Sequence, residues 1–115
     1  MATNAQIRTT AAENLGILGE GETLPSYESN DLDQAITEVY NELQSLNLTT
    51  WASTSNVPEQ YARSFAMMVA AARAMKYQIP EDRYKRIQYE TDRGMHLFRE
   101  LQARSKLGQT EIEYF

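Results

Sequence analysis

The chain has 115 residues, room for one domain and little more, and its lack of cysteine removes disulfide frameworks and thiolate chemistry. No apolar run approaches the length needed to cross a membrane, and no basic stretch followed by an apolar core opens the chain, so a soluble protein made in the cytoplasm is expected. The net charge of −5 hides an asymmetry: residues 1–56 carry eight acids against one base, Arg8, whereas residues 57–106 carry six acids against ten bases.

The first segment, roughly Thr3 to Leu15, has Ile7, Ala11 or Ala12, and Leu15 at helical spacing. Gly16, Gly19, Gly21 and Pro25 then break the pattern into a turn. Its GxxGxG is no phosphate loop, because no strand precedes it, no Gly-Lys-Ser/Thr follows, and Glu20 and Glu22 would repel phosphate. A second helix is expected from Ser29 or Asn30, with Asp31 and Asp33 in the first turn where the helix dipole favours carboxylates. Its apolar stripe is Leu32, Ile36, Val39 or Tyr40, Leu43, and Leu46 or Asn47, and it ends near Asn47. A loop of small and β-branched residues follows, and Trp51 is placed to plug the end of the core.

Pro58 opens the third helix. Tyr61, Phe65, Met68, Val69, Ala72 and Met75 form one side, and Ala62, Ala66, Ala70 and Ala74 the other. A helix apolar almost all round belongs in the middle of a bundle. The methionines Met67, Met68 and Met75 read as core filler. Ile79-Pro80 ends this helix and starts a fourth, about Glu81 to Lys106, with the seam Tyr84, Ile87, Thr91, Gly94, Phe98 and Leu101. Gly94 inside a helix costs about 1 kcal/mol against alanine and predicts a close helix crossing. From Thr110 the residues alternate: Thr110, Ile112 and Tyr114 against Glu111, Glu113 and Phe115. That pattern predicts either a frayed terminus or an extended C-terminal arm over 107–115, an aromatic segment suited to strand addition or groove docking on a partner. The organisation expected is therefore an all-α four-helix bundle over 1–106 with the arm appended.

Residues for catalysis are scarce. His96 stands in Asp92-x3-His96-x3-Glu100, but no second histidine completes a metal site and no nucleophile elbow accompanies it. A non-enzymatic protein without cofactor or metal is expected. Arg83, Lys85, Arg86 and Arg93, with Tyr84 and Tyr89 interleaved, could contact phosphates, so a small helical DNA-binding or packaging regulator is the alternative. Acids interrupt that stripe, which favours a solvated or protein-contacting face. The acidic half (Asp31, Glu38, Glu42) and the basic half (Arg86, Arg93) invite head-to-tail contact between copies, or they satisfy each other within one monomer.

The turn Leu15-Gly16-Ile17-Leu18-Gly19-Glu20-Gly21-Glu22, the acidic helix with Leu32, Ile36 and Leu43, the tryptophan loop, Val57-Pro58, and the alanine-rich helix running into Tyr77-Gln78-Ile79-Pro80 together resemble the head-to-tail connector (adaptor) proteins of tailed bacteriophages, especially short-tailed ones. The likeness covers residues 11 to 101. It implies a virion structural protein at the head–tail junction, assembled as a homo-oligomeric ring, commonly of twelve copies, beneath the portal protein. It further implies that the C-terminal segment (Thr110, Ile112, Tyr114, Phe115) grips the portal or a neighbouring subunit. Loops, with Trp51 as candidate, would face the tail or nozzle protein, and DNA would pass through a channel during genome ejection without specific binding.

Overall fold

The computed structural model describes residues 2–19, 22–49, 51 and 57–114, with 104–114 in backbone only. Its order is α1 (Asn4–Leu15), α2 (Ser26–Ser45), α3 (Glu59–Arg73) and α4 (Glu81–Tyr114), with no strand among the described residues. Helix α3 packs against each of the other three, and α1 and α2 also pack on each other. The helix with the most continuous apolar surface thus occupies the centre, as its sequence requires: Phe65, Ala66, Val69 and Ala70 are wholly buried.

Helix α1 starts at a reciprocal cap. Thr3 Oγ1 accepts the Gln6 N–H at 3.3 Å, and the Thr3 N–H donates to Gln6 Oε1 at 2.9 Å, satisfying two otherwise orphaned donors. It stops at Gly16, whose φ of 79° is left-handed and therefore suits glycine. Before the helix, Ala2 and Val57 exchange both backbone hydrogen bonds (2.8 and 2.9 Å), which staples the start of α1 to the start of α3.

Helix α2 begins at Ser26, three residues earlier than Ser29, because Pro25 supplies the entry with φ −58° and the chain needs no side-chain cap. Glu28 therefore stands in the first turn, and Asp31 and Asp33 are displaced from the dipole site into lateral pairs. Helix α3 stops at Arg73, and a run of turns, with Gln78 at φ 50°, carries the chain to Pro80. This early stop explains why Met75 is 81 % exposed while Met67 and Met68 are core. Ala72 is exposed as well.

Helix α4 does not end at Lys106. It continues through Gly108 to Tyr114, so the segment read as an extended arm is helical in backbone as far as it is described. Extending an existing helix adds one hydrogen bond for each residue fixed, whereas a lone strand leaves its backbone groups unpaired. That balance outweighs the about 1 kcal/mol cost of Gly108. At 1.5 Å per residue, 34 residues span about 51 Å, close to the 54 Å long dimension of the molecule. The next longest helix, α2 with 20 residues, spans about 30 Å. Helix α4 therefore runs well past the other three.

The seam of α4 lies inward as its spacing predicts. Ile87 and Phe98 are buried, and Tyr84, Thr91 and Leu101 are half-buried. At Gly94 a Cβ would come within 2.8 Å of Ser64 Cβ and 3.3 Å of Met68 Cε, so only glycine permits the α3–α4 approach seen here. Trp51 fills the far end of the core. Its ring lies 4.9 Å from Tyr61 and 6.1–6.2 Å from Tyr40, Phe65 and Phe98. The Tyr40 hydroxyl donates to the Trp51 carbonyl at 2.9 Å, which pins that loop residue in place.

Candidate functional site: a cationic groove beside a closed charge cluster

The acids of α2 turn mostly inward to this chain's own bases. Asp31 Oδ1 receives Arg73 Nε at 3.2 Å and Lys76 Nζ at 2.8 Å, and its Oδ2 accepts the Tyr77 hydroxyl at 2.8 Å. Arg73 also pairs with Glu38 at 3.1 Å, and Arg8 grips both oxygens of Asp33 at 3.0 Å. Burial alone would raise the Asp31 carboxyl. The hydrogen bonds from Lys76 and Tyr77 and the charges of Arg73 and Lys76 outweigh it, and hold the group below its ordinary value. Burial and the bond to that carboxylate push the Tyr77 phenol up. Arg73 moves up too: burial opposes its charge, but Glu38 and Asp31 more than compensate. The cluster is a saturated device that clamps the turn after α3 onto α2.

In this arrangement Asp31 and Glu38 are engaged within the monomer, as in the alternative where the two charged halves satisfy each other. Of the three acids proposed as subunit contacts, Glu42 alone is exposed without an ion pair to a described residue.

The other side of the molecule differs. Helices α1 and α4 stand apart over α3 and leave a trench floored by Met67 and walled by Asn14 and by Ile87 of α4. It continues toward Gly94 and Leu97. Five cations line it (Arg63, Arg83, Lys85, Arg86 and Arg93) against two carboxylates, Asp82 and Glu90. Glu90 lies at 3.9 Å from Arg93 and 4.0 Å from Arg63, the outer limit of an ion pair, and Lys85 meets Glu81 at 3.4 Å in full solvent. Such pairs contribute little. Arg83 is partly committed: its Nη1 donates to the Asn14 carbonyl at 3.2 Å and its guanidinium covers Gly16, where the negative end of the α1 dipole welcomes a cation. Arg86 has no ion pair with a described residue. Tyr89, 67 % exposed, stands on the rim.

The structure thus brings Arg86 and Arg93 into one groove, together with Arg83 and Lys85. It adds Arg63, which sequence reasoning missed because Arg63 belongs to the helix read as apolar almost all round. Trp51, read as a core plug and named as the candidate tail-facing loop residue, has its ring in the aromatic cluster. Its indole Nε1 is buried without a hydrogen-bond partner among the described residues. Thr110, Ile112 and Tyr114 lie on the helical extension with their side chains outside the described residues, and Phe115 lies outside them altogether. His96, Asp92 and Glu100 are exposed, and among the described residues no three potential ligands gather into a metal site. No described helix is long and apolar enough to cross a membrane.

No family model matches this chain, and no curated protein or solved structure does so significantly.

Proposed function

We propose that this protein is a structural, non-enzymatic head-to-tail adaptor of a tailed bacteriophage, assembling as a ring between portal and tail. The sequence likeness over residues 11–101 supports the reading. The observation that carries it is the length of α4, which takes the C-terminal segment far from the body of the bundle that buries the core. An adaptor needs such a division, with one part holding its own fold and another free to engage a neighbour. In this reading the C-terminal segment engages its partner as a helix laid into a groove rather than as an added strand. Aromatic Tyr114 and Phe115 are the anchors, since such residues dominate interface energetics. Ring stoichiometry, twelve copies by resemblance, follows from closure of repeated head-to-tail contacts.

The test is deletion of residues 109–115. Helicity and melting of the monomer should stay nearly unchanged while assembly on the portal disappears. A large loss of melting temperature would mean that the segment belongs to its own bundle.

The regulator alternative requires Arg83, Lys85, Arg86 and Arg93 to be available to phosphate. Asp82 and Glu90 interrupt that basic stripe and line the same groove, which favours the adaptor reading. The free protein should therefore show no measurable affinity for duplex DNA at physiological salt. Sub-micromolar binding with a steep salt slope would promote the regulator instead.

A further inference from the structure

Resting on the ring reading, we infer that the cationic groove between α1 and α4 receives the acidic C-terminal segment of a second copy of this chain. Three observations converge. The groove carries five cations against two carboxylates, with Arg86 in no ion pair with a described residue and Tyr89 exposed on its rim. The sequence of the segment, Thr110-Glu111-Ile112-Glu113-Tyr114-Phe115, has two acids and no base, with an aliphatic and two aromatic residues between and after them. That matches a groove with a basic wall, an apolar floor at Met67 and Ile87, and an aromatic rim. The acidic α2 is the weaker occupant, because Asp31, Asp33 and Glu38 are already paired within their own monomer.

Geometry decides between a chain's own groove and that of another copy. The groove runs along α4 from about Asp82 to Leu97. Helix α4 continues unbroken, so residue 112 lies about 38 Å farther along its axis than Ile87 and more than about 20 Å past Leu97. A continuous helix cannot fold back on itself, so the segment reaches this groove only in a second molecule. The contact joins two different surfaces and repeats from copy to copy, which is the kind of interface that closes a ring.

Because the chain has no cysteine, cross-linking can test this directly in the full chain. A Glu113→Cys chain is mixed with a Tyr89→Cys chain under mild oxidation, and separately with a Tyr27→Cys chain, whose cysteine lies on exposed α2 outside the groove. The expected result is at least tenfold more disulfide-linked heterodimer with Tyr89→Cys. Adding Arg86→Glu to the Tyr89→Cys chain should lower the yield severalfold, and adding Glu111→Lys to the Glu113→Cys chain should restore it. The Glu113→Cys/Tyr89→Cys double variant should link between chains rather than within one. Equal yields at positions 89 and 27, linkage within a chain, or displacement of the cross-link by duplex DNA at physiological salt would each overturn the docking. Particle mass with the portal present tests the ring separately. Rings without the selective cross-link would retire this docking alone, and a selective cross-link in chains that never close into rings would retire the ring and keep the docking.

Discussion

The two charged faces of this molecule are built from similar residues and do opposite things. Between α2 and the end of α3, one carboxylate, Asp31, takes three donors at 2.8–3.2 Å and sits half-buried, so its charge is spent on holding the fold. Along α4, Arg86 has no ion pair with a described residue, Arg63 and Arg93 share Glu90 at the limit of contact, and the trench between them stays open. The difference is one of geometry rather than composition. Asp31 meets the bases on the turns where α3 ends, whereas the α4 cations face α1, whose nearest contribution is the neutral Asn14. A charge census of the two halves cannot distinguish these cases; only the pairing can.

The sharpest way to break the comparison is to remove the centre of the closed cluster. Asp31→Ala leaves Arg73 half-buried with Glu38 alone and frees Lys76 and Tyr77. The expected loss is about 2–3 kcal/mol, a fall in melting temperature on the order of 10 °C. A fall of only a degree or two would mean that the cluster is ornamental.

Next in size is the α3–α4 crossing that shapes the groove floor. Gly94→Ala gains helix propensity but drives a methyl group to 2.8 Å from Ser64 Cβ, so a net loss of about 1–2 kcal/mol is expected. In a double-mutant cycle, Ser64→Gly should relieve much of it. Additive effects would show that the helices separate freely.

A third effect concerns acid. The Asp31 carboxyl is held below its ordinary value of 3.8 in the folded state. The stability that the shift contributes is therefore fully present above that value, and is lost as pH falls through the lowered folded-state value. Melting curves taken from about pH 6 down to about pH 2 should lose this increment in the native protein and not in Asp31→Asn. Parallel curves for the two proteins would contradict the assignment.

The smallest effect on stability, and the most telling, belongs to the open face. Arg86→Glu should change monomer stability by no more than about 0.5 kcal/mol, because no ion pair with a described residue is lost. Assembly of the same variant should fall sharply and should weaken further as salt rises, since exposed charges are screened beyond about 8–10 Å at physiological ionic strength. Unaltered assembly would leave apolar contacts in charge.

Much of this architecture is legible in the sequence, and the failures have physical causes. The all-round apolar character of α3 places it at the centre, and the seam from Tyr84 to Leu101 with Gly94 foretells the close crossing, because burial enforces periodicity. The start of α2 is misplaced because Asp31 and Asp33 imitate a first turn, while their true partners, Arg73 and Arg8, lie far along the chain. Met75 matches the apolar spacing of α3 but falls past its end. The short alternation after Thr110 fits a strand, yet continuing α4 satisfies its backbone without a partner. The groove is illegible for another reason: it needs α1 and α4 to stand apart over α3, and no local pattern encodes a separation.

The most direct test of the adaptor account is the mass of the particle that the purified chain forms with its portal, measured by native mass spectrometry. The account predicts a closed ring with a fixed number of copies per portal, and no such particle when residues 107–115 are deleted. A chain that remains monomeric beside the portal, or a ring that forms equally well without those residues, would contradict it.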